Sequence, residues 1–105
     1  MITTNALYSP LATDPDLSEI VAMFVEEMPE RITMIHQLLD ANDWQGLRRA
    51  AHQLKGSAGS HGFDALTPMA ARVENAATGT DEEQIRRDVD QLIQMCTRVR
   101  AGIPQ

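Results

Sequence analysis

The chain is poor in several things, and each shortage excludes a class of protein. Its 105 residues contain one cysteine, Cys96. No internal disulfide can form, and a reducing compartment is expected. Aromatic residues make up 4% of the sequence, and strand-like alternation is hard to find, which argues against a sheet-built domain. No apolar run approaches the roughly 20 residues that a membrane span requires. The N-terminus lacks the basic start and apolar stretch of a secretory signal. Positive charge is also scarce: nine Lys and Arg stand against 15 Asp and Glu, for a net charge of −6. That balance disfavours nucleic acid and anionic membrane surfaces as partners. A cytoplasmic helical domain is the expectation.

What is present supports it. Apolar residues form 43% of the chain, enough for a core, and Ala, Leu, Met, Glu, Gln and Arg dominate, all good helix formers. Residues 1–14 carry Thr, Asn, Ser and Pro and read as an irregular lead-in with a short helical turn near Leu7. From there Leu17, Ile20, Val21, Phe24, Met28, Ile32, Ile35 and Leu39 recur with the period of an amphipathic helix that ends near Ala41. Pro29 lies within this pattern and should kink or split it. Asn42 and Asp43 are N-cap residues for a second helix with the stripe Leu47, Ala51, Leu54, Ala58. A third begins between Asp64 and Thr67, tolerates Pro68 in its first turn, buries Leu66, Met69, Ala70, Val73 and Ala77, and ends at Gly79. A fourth opens on a capping box in Thr80-Asp81-Glu82-Glu83 and runs on through Ile85, Val89, Leu92, Cys96, Val99 and Ile103. Four amphipathic helices with short connections predict an all-α, antiparallel up-down-up-down bundle over residues 15–105.

The stretch AHQLKGSAGSHG interrupts this regularity. It is rich in helix formers, yet Gly56, Gly59 and Gly62 follow in quick succession. A glycine inside a helix costs about 1 kcal/mol relative to alanine. The stripe continues past Gly56, so the helix should continue too and stop between Gly59 and Gly62, where glycine can take a left-handed cap. His52 lies about 100° around the helix from Ala51, so it should face solvent or the edge of the stripe. Its own face carries Arg48, Arg49, Lys55, Gly56 and Gly59. From Trp44 to Phe63 there is no Asp or Glu. In an acidic chain this is a local positive region, suited to an anion or an acidic partner.

An exposed imidazole is largely neutral at pH 7 and nucleophilic. A lysine one turn away can neutralise a phosphoryl group on it. A glycine one turn further on leaves room for a bulky donor. These are the requirements of a phosphorylatable histidine. With them the sequence resembles the histidine-containing phosphotransfer (HPt) domains of bacterial phosphorelays, whose signature runs His-x-x-Lys-Gly, small residues, then glycine ten after the histidine. His52, Lys55, Gly56, Ser57, Ala58 and Gly62 match it. The likeness extends over about residues 15–100 and includes Pro29 and the Asp43-Trp44 pair. The resemblance implies a four-helix bundle, His52 as phospho-acceptor, Lys55 as its electrostatic support, Gly56 as clearance, and Glu74 as a polar neighbour on the next helix. It implies receiver domains of response regulators as partners, including those of a hybrid sensor kinase. It also implies that any Mg²⁺ belongs to the receiver and not to this chain. Arg48, Arg49, Gly59 and Glu74 would then meet the partner. One position departs from the pattern: His61 stands before Gly62 where a large aliphatic is usual.

Other readings of these residues fare less well. Lys55 precedes Gly56, so the stretch is not a phosphate-cradling loop, which needs Gly-Lys-Ser/Thr. His36, His52, His61 and Cys96 show no metal-ligand spacing. Cys96 sits on the seam of the fourth helix as a core residue, His36 is a surface or edge residue, and His61 is a structural group bonding a helix-end carbonyl. The expectation is therefore a monomeric phosphocarrier without cofactor and without an ATP-binding motif of its own. It takes a phosphoryl group from a receiver aspartyl phosphate and passes it to another receiver. The competing reading is a helical module that binds a receiver without transfer. The start at Met1 and the end with the last helix suggest a free-standing module.

Overall fold

Helix α1 (Ser18–Asp40) carries the first apolar stripe, and Val21, Phe24, Met28 and Ile35 are buried along it. It passes through Pro29 as one helix and is not split there. The proline ring sits on the exposed side of α1, and only the bond it would have donated to Val25 is lost. The buried stripe runs on both sides of it and outweighs that loss. Ile20, placed on the stripe by its spacing, lies 41% exposed. These features belong to a computed structural model that describes residues 5–104.

Asn42 takes a positive φ of 53° in the turn, and the Asp43 side chain accepts from Gly46 N–H at 2.9 Å to start α2 (Trp44–Ser60). Leu47, Ala51, Leu54 and Ala58 are buried, as their spacing predicts, and the helix runs through Gly56 without a break. It ends in a Schellman arrangement. Phe63 N–H donates to the Ala58 carbonyl at 2.9 Å, Gly62 N–H donates to Gly59 at 3.2 Å, and Gly62 has φ +80°. Helix α3 (Leu66–Ala76) holds Pro68 in its first turn and ends three residues before Gly79, which does not terminate it. Backbone bonds from Ala77 to Val73 and from Thr78 to Asn75 close that end instead.

Helix α4 (Glu82–Cys96) is capped by Asp81, whose side chain accepts from Gln84 N–H. The box expected around Thr80 is thus shifted by one residue, and Gln84 turns its own side chain to Asp88 rather than back to the cap. The helix stops at Cys96, well short of Ile103. Val99 is buried all the same, but in a strand: β2 (Val99–Arg100) pairs in parallel with β1 (Leu7–Tyr8). Extended backbone suits β-branched Val99, and β1 supplies the partner groups that a further helical turn would have found in itself. Ile103, beyond this strand, is 57% exposed.

The lead-in is therefore more ordered than its composition suggests. Besides β1 it holds a short 3-10 turn at Pro10–Thr13, capped by Ser9, whose Oγ accepts from Leu11 N–H at 3.1 Å. Leu7, Leu11 and Ala12 pack on the core. Residues 1–4 lie outside the described residues.

The four helices form a bundle. The connections Ala41–Asp43, His61–Ala65 and Ala77–Asp81 are short, as in bundles whose successive helices pack side by side. One apolar core joins all four helices and Val99. Helix α3 packs on both α2 and α4. Because α2 gives its apolar stripe to that core, the opposite face, with His52, is left at the surface beside α3.

Candidate functional site

The side chain of His52 is 65% exposed, on the face of α2 that the sequence assigns to solvent. It is not alone there. Glu74 rises from α3, and its Oε2 lies 2.8 Å from His52 Nδ1. Its Oε1 accepts from Lys55 Nζ, also at 2.8 Å. Lys55 stands one turn beyond His52 on α2, so one carboxylate joins the two residues to a second helix. The α2–α3 connection is short and α3 packs closely on α2, which brings position 74 level with positions 52 and 55.

The Lys55 ammonium, and after it the His52 ring, donate to the Glu74 carboxyl and hold it below its ordinary value of 4.5. Glu74 is thus an ionised acceptor near neutral pH. A carboxylate has no proton to give, so the hydrogen bond must run from Nδ1–H to Oε2. That sets the ring's tautomer. In the neutral ring this places the proton on Nδ1 and the lone pair on Nε2.

Gln45, Arg48, Arg49, His52 and Glu74 line a shallow depression of about 210 Å³. Among the described residues, neither Arg48 nor Arg49 has a carboxylate within 4.0 Å. Gly56 lies exposed on the far side of His52, and a Cβ built there meets nothing within 4 Å. Gly59 is not brought into the depression. It faces Thr67 of α3, whose Oγ1 would lie 3.7 Å from an added Cβ.

Two outcomes differ from the sequence reading. The region without acids is not purely basic in space, because Glu74 reaches into it from α3. Lys55 is already paired with that carboxylate. Gln45 was missed, although it lies seven residues before His52 and on the same helical face; that spacing was the available signal.

The other histidines separate cleanly. His36 is exposed on α1. His61 stacks on Phe24 with centroids 4.8 Å apart, and its Nδ1–H donates to the Ser57 carbonyl at 2.6 Å. It is a structural residue at a helix end, as expected. Cys96 is buried, and burial pushes its thiol up to about 12. It is a core residue with no thiolate to offer near neutral pH. Among the described residues, no three His, Cys, Asp or Glu side chains gather as metal ligands would, and no helix is long and apolar enough to cross a membrane.

Residues 19–102 match the Hpt domain family. No curated protein and no solved structure matches the chain.

Proposed function

The chain belongs to the Hpt domain family, a family of phosphorelay phosphocarriers, and from that premise we propose that His52 is its phospho-acceptor. The observation that carries this reading is the exposed His52 ring with Nδ1 bonded to Glu74 at 2.8 Å. The bond leaves Nε2 as the nucleophile of a side chain that is 65% exposed. The donor is the aspartyl phosphate of a receiver domain. Nε2 attacks phosphorus, the P–O bond to the aspartyl carboxyl breaks, and the electron pair leaves with that carboxylate. The reverse step, to another receiver, discharges the ring.

The surroundings of His52 serve such an exchange. Gly56 clears the approach of a bulky partner. Arg48 and Arg49, with no carboxylate within 4.0 Å among the described residues, complement the acidic pocket of a receiver. Lys55, one turn from the ring, is placed to move its ammonium toward a phosphoryl group on Nε2. Mg²⁺ in this scheme belongs to the receiver. The sequence has no nucleotide-binding motif, so the phosphoryl group comes from a protein and not from ATP. The module acts as a cytoplasmic monomer that meets its receivers in turn.

The test is incubation with a phosphorylated receiver. The protein should acquire an acid-labile, base-stable label that maps to His52. The variant His52→Gln should acquire none while keeping its helical spectrum. Label on His36 or His61 instead would overturn the assignment.

A further inference from the structure

The ring nitrogen that takes no part in bonding phosphorus carries a carboxylate of its own. Glu74 lies 2.8 Å from Nδ1 through one oxygen and 2.8 Å from Lys55 Nζ through the other. Both oxygens are engaged, and the Lys55 anchor holds the acid against the ring. Resting on the reading of His52 as acceptor, we propose that Glu74 keeps the Nδ1 proton on the ring after phosphorylation, so that the phosphoryl group departs from a protonated imidazole. Glu74 is then a positioning residue that sets how readily the carrier gives up its load.

The electron count shows why the proton matters. When the Nε2–P bond breaks, its electron pair stays on Nε2. The phosphoryl group goes to an oxygen of a receiver's aspartate carboxylate, or of water. If Nδ1 still holds its proton, the departing ring is neutral imidazole. If the proton has gone, the departing ring is an imidazolate anion, a far poorer leaving group. An imidazole nitrogen ordinarily gives up its proton near pH 6.5, so an unassisted ring would be largely in the slow form above neutrality. An adjacent opposite charge moves such a titration by about 1–3 units toward the charged form.

The other groups facing the ring work against this or are neutral. Arg48, Arg49 and Lys55 on α2 are cations, and Gln45 has no charge. Glu74 of α3 is the single acid among the described residues lining the depression. Holding the proton therefore rests on this one side chain.

The experiment uses protein phosphorylated at His52 with phosphoramidate, a small-molecule phosphoryl donor, and follows hydrolysis against pH. The parent should hydrolyse at the rate of the protonated ring to well above neutral pH. Glu74→Gln can still accept from Nδ1–H but carries no charge. Its profile should keep its shape, with the midpoint about one unit lower and hydrolysis at pH 8 several-fold slower. A merely structural role for Glu74 would leave the Glu74→Gln midpoint at the parent value. Label on His52 with the same midpoint in parent and Glu74→Gln would overturn the inference and leave the acceptor reading intact. Absence of label from His52 in the parent would remove both.

Discussion

His52 with Gly56, and His61 with Gly62, are two histidine–glycine pairs on one helix and its cap, and their surroundings differ at every point. His52 projects into solvent and donates to a carboxylate from another helix. His61 lies flat on Phe24 and donates to a carbonyl of its own helix. Gly56 has helical backbone and open space where a Cβ would go. Gly62 has φ +80°, and a Cβ there would run into Ser9 and Leu11. One pair is left free by the fold and the other is consumed by it. Residue type therefore says little about role here. What decides is whether the side chain closes the end of the helix or faces outward from its middle.

The largest expected contrast is between the two histidines. His61→Gln should still take up phosphoryl label from a receiver at the parent rate, whereas His52→Gln takes up none. Losing the stack on Phe24 and the bond to Ser57 should cost His61→Gln about 1–2 kcal/mol of stability, read by denaturant titration. A His61 variant that folds and loses its label would erase the distinction between the pairs.

The next contrast is between the glycines. Gly62→Ala forces a left-handed conformation on a Cβ residue and drives that Cβ into Ser9. A loss of about 2–4 kcal/mol is expected, a fall in melting temperature of at least about 8 °C. Gly56→Ala should do the opposite and raise stability by up to about 1 kcal/mol. Equal melting shifts of one sign would show that the two backbone settings are not different in kind.

Gly56→Leu sharpens the functional half of the comparison. A Cβ at this exposed position meets nothing within 4 Å, so the fold should hold. Phosphotransfer should fall at least about tenfold, or 1.4 kcal/mol of barrier, mainly through poorer docking of the receiver. Stopped-flow or quench measurement of transfer against receiver concentration separates docking from chemistry. Parent rates in a folded Gly56→Leu protein would mean that clearance is not the reason for glycine.

The smallest effect concerns acid. The Glu74 carboxyl titrates below 4.5 in the folded protein, and the unfolded chain binds that proton first. Its stabilising contribution is complete above pH 4.5 and is lost as the pH falls through the lowered value. The exposed site makes this contribution small. It should appear as a slightly steeper acid loss in the parent than in Glu74→Gln, with the His52 ring signals in a nuclear magnetic resonance titration reporting the loss of the bond directly.

Much of this was legible before any fold was known, and some was not. The exposure of His52 and the passage of α2 through Gly56 follow from one stripe, Leu47, Ala51, Leu54, Ala58, because a helix repeats within a few residues. Pro29 misleads because a local rule predicts a break, while the stripe on either side is buried strongly enough to carry the helix through. Val99 misleads differently. Its spacing from Cys96 suits a helical seam and its burial is real, but the partner that makes it a strand lies at Leu7, at the other end of the chain.

The sequence by itself determined the four helices, the cap at Asp43, a left-handed stop between Gly59 and Gly62 and the face on which His52 stands. Each of these depends on neighbours within about one or two turns, where backbone geometry alone dictates who meets whom. Tertiary structure alone decided the rest: the bond from His52 to Glu74, which the resemblance gave only as a polar neighbour, the pairing of Lys55 with that same acid, the strand at Val99 and the wall of Ser9 against Gly62. These contacts join residues far apart along the chain. Their distances are set by how helices pack on a shared core, and no spacing in the sequence contains that information.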